Sequence, residues 1–251
     1  MSAGVPLAAN PGVRLIATDT EGIASAQVLD AEQQYSLPWD RYMRLRTTAD
    51  HLRRLVGSER RVRVLDVGGF DGAFAMFVPG HDVHVIDPAT TGGSGLKIPV
   101  ADRAYDVVVS IDAIEHLPPD QRGVLLAELA RVTASICLVN FPNKATMPAQ
   151  ELVWNLTGNP FVREHVEFGL PEKKWVIEQM QGHGFECLAV PSTSLALWVA
   201  QFTLSNLEPE AAAAVSRYLV TAHREEPFSV PLYLLIICTR PEPSNRAEAR
   251  N

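Results

Sequence analysis

The segment Val64-Leu65-Asp66-Val67-Gly68-Gly69-Phe70-Asp71-Gly72 holds the residues best placed to do chemistry. Its glycines allow a tight turn after an apolar run and let a ligand approach bare backbone. A short helix expected over Ala73–Phe77 would add unpaired N–H groups and a positive dipole end, suited to a carboxylate or phosphate. Nineteen residues after Gly68, at the end of the next apolar run, stands Asp87. A carboxylate there is placed to accept hydrogen bonds from ribose hydroxyls. The plainer reading of the same residues is a tight strand-to-helix turn with an ordinary surface aspartate. The glycine spacing is not G-x-G-x-x-G, which argues against a nicotinamide or flavin dinucleotide. Cys137, Cys187 and Cys238 lie far apart in sequence, each in an apolar run, with no CxxC pair or Cys/His cluster. Neither structural zinc nor a disulfide framework is expected, and the three read as small buried hydrophobes in a reducing compartment.

The elements that must position these residues alternate. Val62–Val67, Asp82–Asp87, Tyr105–Ile111 and Ile136–Val139 read as buried strands, with a helical stripe at Leu125, Leu129 and Val132 between the last two. Continuous apolar strands separated by helices predict a mostly parallel sheet covered on both faces. Before them, residues 1–34 read as a loose arm with a short ordered patch, and 38–56 as a helix opened by Pro38 and stopped by Gly57. Eight arginines fall between Arg41 and Arg63, against only Asp50 and Glu59, either a solvated helix face or a patch for an anionic partner. Tyr35, Trp39 and Tyr42 are expected in the core, with a lid over the site as the alternative. After Asn140 the spacing predicts a helix over 147–158, a loop over 159–170, a helix opened by Pro171, and a strand over 185–190. Two further helices are expected over 195–212 and 213–223, then a long apolar strand over 231–238 and a polar tail.

Taken together these motifs resemble the class I S-adenosylmethionine-dependent methyltransferases of the small-molecule type. Leu65–Gly72 is similar to that family's first motif, with the acid and the outer glycines kept, and Ile86-Asp87-Pro88 resembles its ribose-binding acid. Leu96–Pro99 followed by Asp102–Leu117, containing Asp112-Ala-Ile-Glu115-His116, resembles its fourth-strand block. Similarity continues through Glu128–Val132, Asn140–Asn143, Glu164–Pro171 and Gly182–Phe185, so that it spans roughly residues 60–190. Two departures stand out. Phe70 replaces the middle glycine, with Gly69 beside it left to supply the close backbone approach. Only six residues separate Asp87 from Ser94, where the family has a helix and a third strand.

The resemblance implies an α/β Rossmann-like fold: a doubly wound, mostly parallel sheet ordered 3-2-1-4-5-7-6, with the last strand antiparallel, a shortened third-strand region and helical cap elements. It implies S-adenosyl-L-methionine as cofactor. Asp66, Gly68 and Gly72 would line its aminoacid part, Asp87 and Pro88 would meet the ribose, and Asp112 would form the floor near the sulfonium. Ser94 falls where an acid commonly meets the adenine amino group. His165, and after it His116, are the candidates to take a proton from the acceptor. The plainer readings are a turn cap or a pin on Asp112 for His116, and a pin on its own loop for His165.

The implied domain plan is an arm and cap helix over 1–59, a methyltransferase domain over 60–240 with inserted cap segments at 145–170 and 195–230, and a mobile tail over 241–251. The chain has 22 lysines and arginines against 29 aspartates and glutamates, a net charge of −7 that argues against a nucleic-acid substrate. No membrane span and no secretory signal are read, so a soluble cytoplasmic protein is expected. The expected activity is methylation of a small molecule or a glycan or lipid precursor, on oxygen before nitrogen. A methyltransferase-like binding module is the second reading, and an NAD-dependent oxidoreductase the third.

Overall fold

Val64, Leu65, Asp66 and Val67 are all buried, as a strand covered on both faces requires. In the computed structural model, which describes residues 10–57, 60–222 and 229–241, this strand is β3 (Arg63–Val67), near the middle of one eight-stranded sheet. The sheet runs in the order β1 (Val13–Ala17), β2 (Ala24–Val28), β4 (Asp82–Ile86), β3, β5 (Tyr105–Ile111), β6 (Thr133–Pro142), β8 (Pro231–Thr239), β7 (Glu186–Ser194). Strands β4, β3, β5 and β6 are parallel neighbours, while β8 is antiparallel to both β6 and β7. The expected core order and antiparallel last strand are therefore present.

Alternate residues of the strands divide the core in two. Val64, Val107, Val109 and Leu138 face a cluster with α1 (Trp39–Val56), α6 (Leu195–Leu207) and α7 (Pro209–Ala222). Leu65, Val67, Val108 and Cys137 face the other cluster, with α2 (Pro119–Val132) and α5 (Lys173–Gly182). Trp39 and Tyr42 lie in the first cluster, with Tyr35 partly buried against it, so the aromatic positions are core rather than lid. Among the described residues no helix is long and apolar enough to cross a membrane.

Four expectations are corrected. Of the segment read as a loose arm, residues 1–9 lie outside the described residues and Val13–Val28 forms the β1–β2 hairpin, with β2 adding antiparallel to β4 on the edge where the third strand would lie. Its alternation, with Val13 and Leu15 opposite Ala26 and Val28, carries few large side chains, so the period-2 signal is faint. The short helix expected over Ala73–Phe77 is present with those bounds, but as a five-residue 3₁₀ helix it is too short to present the expected dipole end. The region 159–170 is helical as α4 (Pro160–Phe168): Asn159 caps it by accepting from the N–H groups of Phe161 and Val162, and Gly169 ends it at φ 68°. The pair of late helices breaks at Glu208–Pro209 rather than at Ala212. The tail expected over 241–251 lies, from residue 242 on, outside the described residues.

Cys137 and Cys238 are buried as expected, whereas Cys187 is half-buried and meets Cys238 across β7 and β8, sulfur to sulfur at 3.0 Å. All three thiols are free.

Candidate active site

Parallel strands end their carboxyl edges on one side of the sheet, and there a cavity of about 950 Å³ opens over β3, β4 and β5. Helix α1, the helix α3 (Met147–Thr157), α4 and α6 close over it. Asp66, Gly68, Gly69, Asp87, Pro88, Ser94, Asp112, His116 and His165 all line it.

Gly72 does not. At φ 76° it turns toward the hairpin, where an added Cβ would press on Leu15, Ala26 and Val13. Its glycine is needed for packing of β1 and β2, and the expectation that it lines the cofactor is corrected. Gly68 combines φ 79° with an added Cβ that would meet Ala113 at 2.8 Å. Gly69 lies so close to Asp66 that a side chain would strike that carboxylate. Asp66 itself is 2% exposed, and its Oδ1 has no hydrogen-bond partner among the described residues. Burial pushes its pKa up to about 7, with Arg41 opposing and Asp71 and Asp87 adding to the rise.

Phe70 holds φ 50°, a conformation that suits the glycine usual at this motif position and costs a phenylalanine roughly 1 kcal/mol or more. Three contacts hold it there. Its N–H donates to Asp87 Oδ2 at 3.2 Å, its carbonyl accepts from Thr90 Oγ1 at 2.6 Å, and the Arg41 guanidinium sits 5.9 Å from its ring centre. Arg41 is in turn paired with Asp71. Asp87 Oδ1 accepts from the N–H groups of Ala89 and Thr90, so much of this carboxylate's capacity is used in its own turn. Ser94 is exposed at the cavity's rim and its Oγ accepts from Leu96 N–H.

At the far end, Asp112 closes β5 at φ 59°, with its N–H donating to the Asn140 carbonyl. Backbone strain of this kind gathers at functional sites. Burial would raise the Asp112 pKa, but Arg44, 3.0 Å from Oδ2, brings it down to about 2. Arg44 also pairs with Asp40 at 2.8 Å and donates to the Tyr233 hydroxyl at 3.1 Å, so the cap helix is tied by charge to the sheet edge. Thus two residues of the arginine-rich stretch, Arg41 and Arg44, point into the site, while Arg53 and Arg60 make exposed pairs.

His116 and His165 stand side by side, ring centres 4.8 Å apart. His165 is not in a loop. It lies on α4, 6% exposed, its Nδ1 3.0 Å from the Gln150 Oε1 on α3. His116 Nδ1 is 2.8 Å from Glu164 Oε2. Burial and the neighbouring His116 lower the His165 pKa to about 3, so it is neutral at physiological pH and a poor proton acceptor. Glu115, fully buried, has no N–H or hydroxyl donor on either carboxylate oxygen among the described residues; burial, and the Asp112 carboxylate with which a protonated Glu115 shares a hydrogen bond, raise its pKa well above the ordinary value.

Arg44, Asp40 and Gln150 line this cavity, and Glu115 lies beside its His116 and His165, although sequence reasoning did not select them. For Glu115 a signal existed: it stands three residues after Asp112 and beside His116, beyond the same strand. For Arg44 the arginine-rich stretch was a signal that did not single it out, and for Gln150 there was none, because only folding brings α1 and α3 over the sheet edge.

No protein-family model matches the chain, and no curated protein matches it in sequence. Solved structures do. One described as a candidate methyltransferase from an antibiotic biosynthesis pathway of Anabaena variabilis matches 83% of this chain and 100% of its own. The TM-score is 0.55 at 14% identity. This chain has that fold. Another, described as a candidate sarcosine dimethylglycine methyltransferase from Galdieria sulphuraria, matches 80% of this chain and 87% of its own, with a TM-score of 0.51 at 16% identity.

Proposed function

We propose that the cavity binds S-adenosyl-L-methionine and that the protein transfers its methyl group to a small molecule. The observation that carries this reading is the convergence on one cavity of the Gly68–Gly69 backbone, the unpartnered Asp66 carboxylate, Asp87, and the Asp112–His116–His165 end. These residues fit the cofactor: a buried acceptor at Asp66 suits an ammonium, and Gly68 and Gly69 leave bare backbone for the aminoacid part. Asp87, with Pro88 beside it, keeps acceptor capacity on Oδ2 for a ribose hydroxyl. The cofactor supplies a methyl on a sulfonium, already activated for transfer.

The chain's own residues then have positioning to do. Asp112, held ionised by Arg44, provides negative charge at the sulfonium end. His116 and His165, each anchored through Nδ1, present Nε2 toward the acceptor side and orient an acceptor hydroxyl or amine. The cap of α1, α3, α4 and α6 excludes water and shapes the acceptor pocket. Oxygen is favoured over nitrogen as acceptor atom, and a glycan or lipid precursor falls within the accepted class. The negative net charge disfavours nucleic acid. A cytoplasmic setting is consistent with the three free thiols.

The internal hydrogen bonds of Asp87 favour one second reading, a methyltransferase-like binding module with weakened cofactor use. Isothermal titration with S-adenosylmethionine, S-adenosylhomocysteine and NAD separates the readings. One-site binding of the first two and none of NAD is expected. Heat with NAD alone would favour the oxidoreductase, and no heat with any of the three would overturn cofactor use.

A further inference from the structure

The acceptor end of the cavity contains more unpartnered lone pairs than an organic acceptor alone explains. One ligand atom each from Glu115, His116 and His165 lies within 4.8 Å of the others. Glu115 is fully buried, and the Asp112 carboxyl is its one side-chain hydrogen-bonding neighbour, with no N–H or hydroxyl donor on either oxygen; His165, 6% exposed, has Nε2 unpartnered, among the described residues. Gln150 directs its Nε2 to Thr146 Oγ1, leaving its carbonyl oxygen to face His165, so His165 must donate from Nδ1. Glu164, an acceptor, imposes the same tautomer on His116. Both imidazoles are thereby fixed with lone pairs on Nε2. A ring N–H given to a carboxylate or amide oxygen behind a free Nε2 is the arrangement that orients metal-binding histidines. Arg122 does not answer the Glu115 charge by hydrogen bonding, since its guanidinium donates to the carbonyls of Leu117, Glu115, Phe168 and Gly169.

We propose that Glu115, His116 and His165 bind a divalent transition-metal ion at the acceptor end of the cavity. Two imidazoles and a carboxylate are a ligand set for zinc, iron or cobalt rather than for magnesium or calcium. Ligands about 2.1 Å from one ion stand at most about 4.2 Å apart, so the widest pair closes by about half an ångström on binding. His116 and His165 line the cavity, so a molecule bound there can reach such an ion. Resting on the methyltransferase reading, the ion would hold an acceptor oxygen and favour its deprotonated form, which selects hydroxyl- or carboxyl-bearing acceptors.

The test is titration of chelator-stripped protein with Co²⁺, followed by visible absorption. About one equivalent per chain is expected to bind with d–d bands, and Zn²⁺ to displace it. Glu115→Gln and His165→Asn preserve side-chain shape, and each is expected to weaken Co²⁺ binding at least tenfold, with circular dichroism reporting the fold. On the wild type, paramagnetically shifted Nδ1–H proton resonances from two histidines are expected. No d–d band in wild-type protein at millimolar Co²⁺, or equal affinity in folded variants, would overturn the site. The buried carboxylates would then be balanced by a proton shared between Glu115 and Asp112. Titration of the same stripped protein with S-adenosylhomocysteine keeps the two readings apart. Its binding without Co²⁺ binding removes the metal alone, and Co²⁺ binding without it removes the methyltransferase alone.

Discussion

Asp66 carries its charge at a cost that a bound ammonium would relieve. With its pKa raised to about 7, the carboxyl in the empty protein is largely protonated below that pH, and ligand binding must release the proton. Affinity for S-adenosylhomocysteine should therefore tighten as pH rises toward 7, by up to about tenfold per unit, and level off above it. Titrations between pH 5.5 and 7.5 check this, and Asp66→Asn should flatten the profile. A flat wild-type profile would detach Asp66 from the ammonium. Asp87 holds Phe70 at positive φ and, on the proposed reading, also meets the ribose. Asp87→Ala should weaken cofactor binding by roughly 1–3 kcal/mol and also lower the melting temperature, because Phe70, Ala89 and Thr90 lose their acceptor. Unchanged affinity would reduce Asp87 to a turn residue. On the proposed reading the two histidines position the acceptor and do not touch the cofactor, so His165→Asn should lower turnover by about a hundredfold while leaving S-adenosylhomocysteine affinity within about twofold. A parallel loss of both would place His165 in the cofactor's support instead.

At the scale of elements, the β1–β2 hairpin takes the place of the missing third strand. Its turn at Gly22 docks on the short link after β4, where the Thr91 hydroxyl donates to the Gly22 carbonyl and accepts from the Asp87 N–H. The link that carries Asp87 to Ser94 is thus held by a segment far away in sequence. Gly72→Ala tests this coupling: positive φ and pressure on Leu15, Ala26 and Val13 should destabilise the fold by about 1–2 kcal/mol, seen in denaturant melts. Because Gly72 faces the hairpin, affinity of the folded variant for S-adenosylhomocysteine should stay unchanged. Sequence patterning exposed β3, β5, β6 and β8, since strands buried on both faces read as unbroken apolar runs. It missed the hairpin, whose inward positions include Ala24 and Ala26, because small side chains leave little amplitude for a period. It missed α4 because a nine-residue helix is too short to show its stripe, although Asn159-Pro160 and Gly169 mark its ends.

Across the whole molecule, the residues that sequence could place are those at strand ends, and those that it could not are delivered by the cap. Asp66, Asp87 and Asp112 sit where an open parallel sheet must present ligands. Arg44 and Gln150 reach the same cavity from α1 and α3, and no local pattern encodes that meeting. Cofactor use by this fold, with a hairpin in place of an edge strand and a cavity enclosed by that cap, comes down to where the ligand lies. The direct measurement is a crystal structure of the protein grown or soaked with S-adenosylhomocysteine. The ligand is expected in this cavity, its aminoacid part along Gly68–Gly69 with the ammonium at Asp66, a ribose hydroxyl at Asp87, and the sulfur facing Asp112. A clear cavity in crystals held at saturating ligand, or the ligand bound away from the carboxyl ends of β3 and β4, would contradict it.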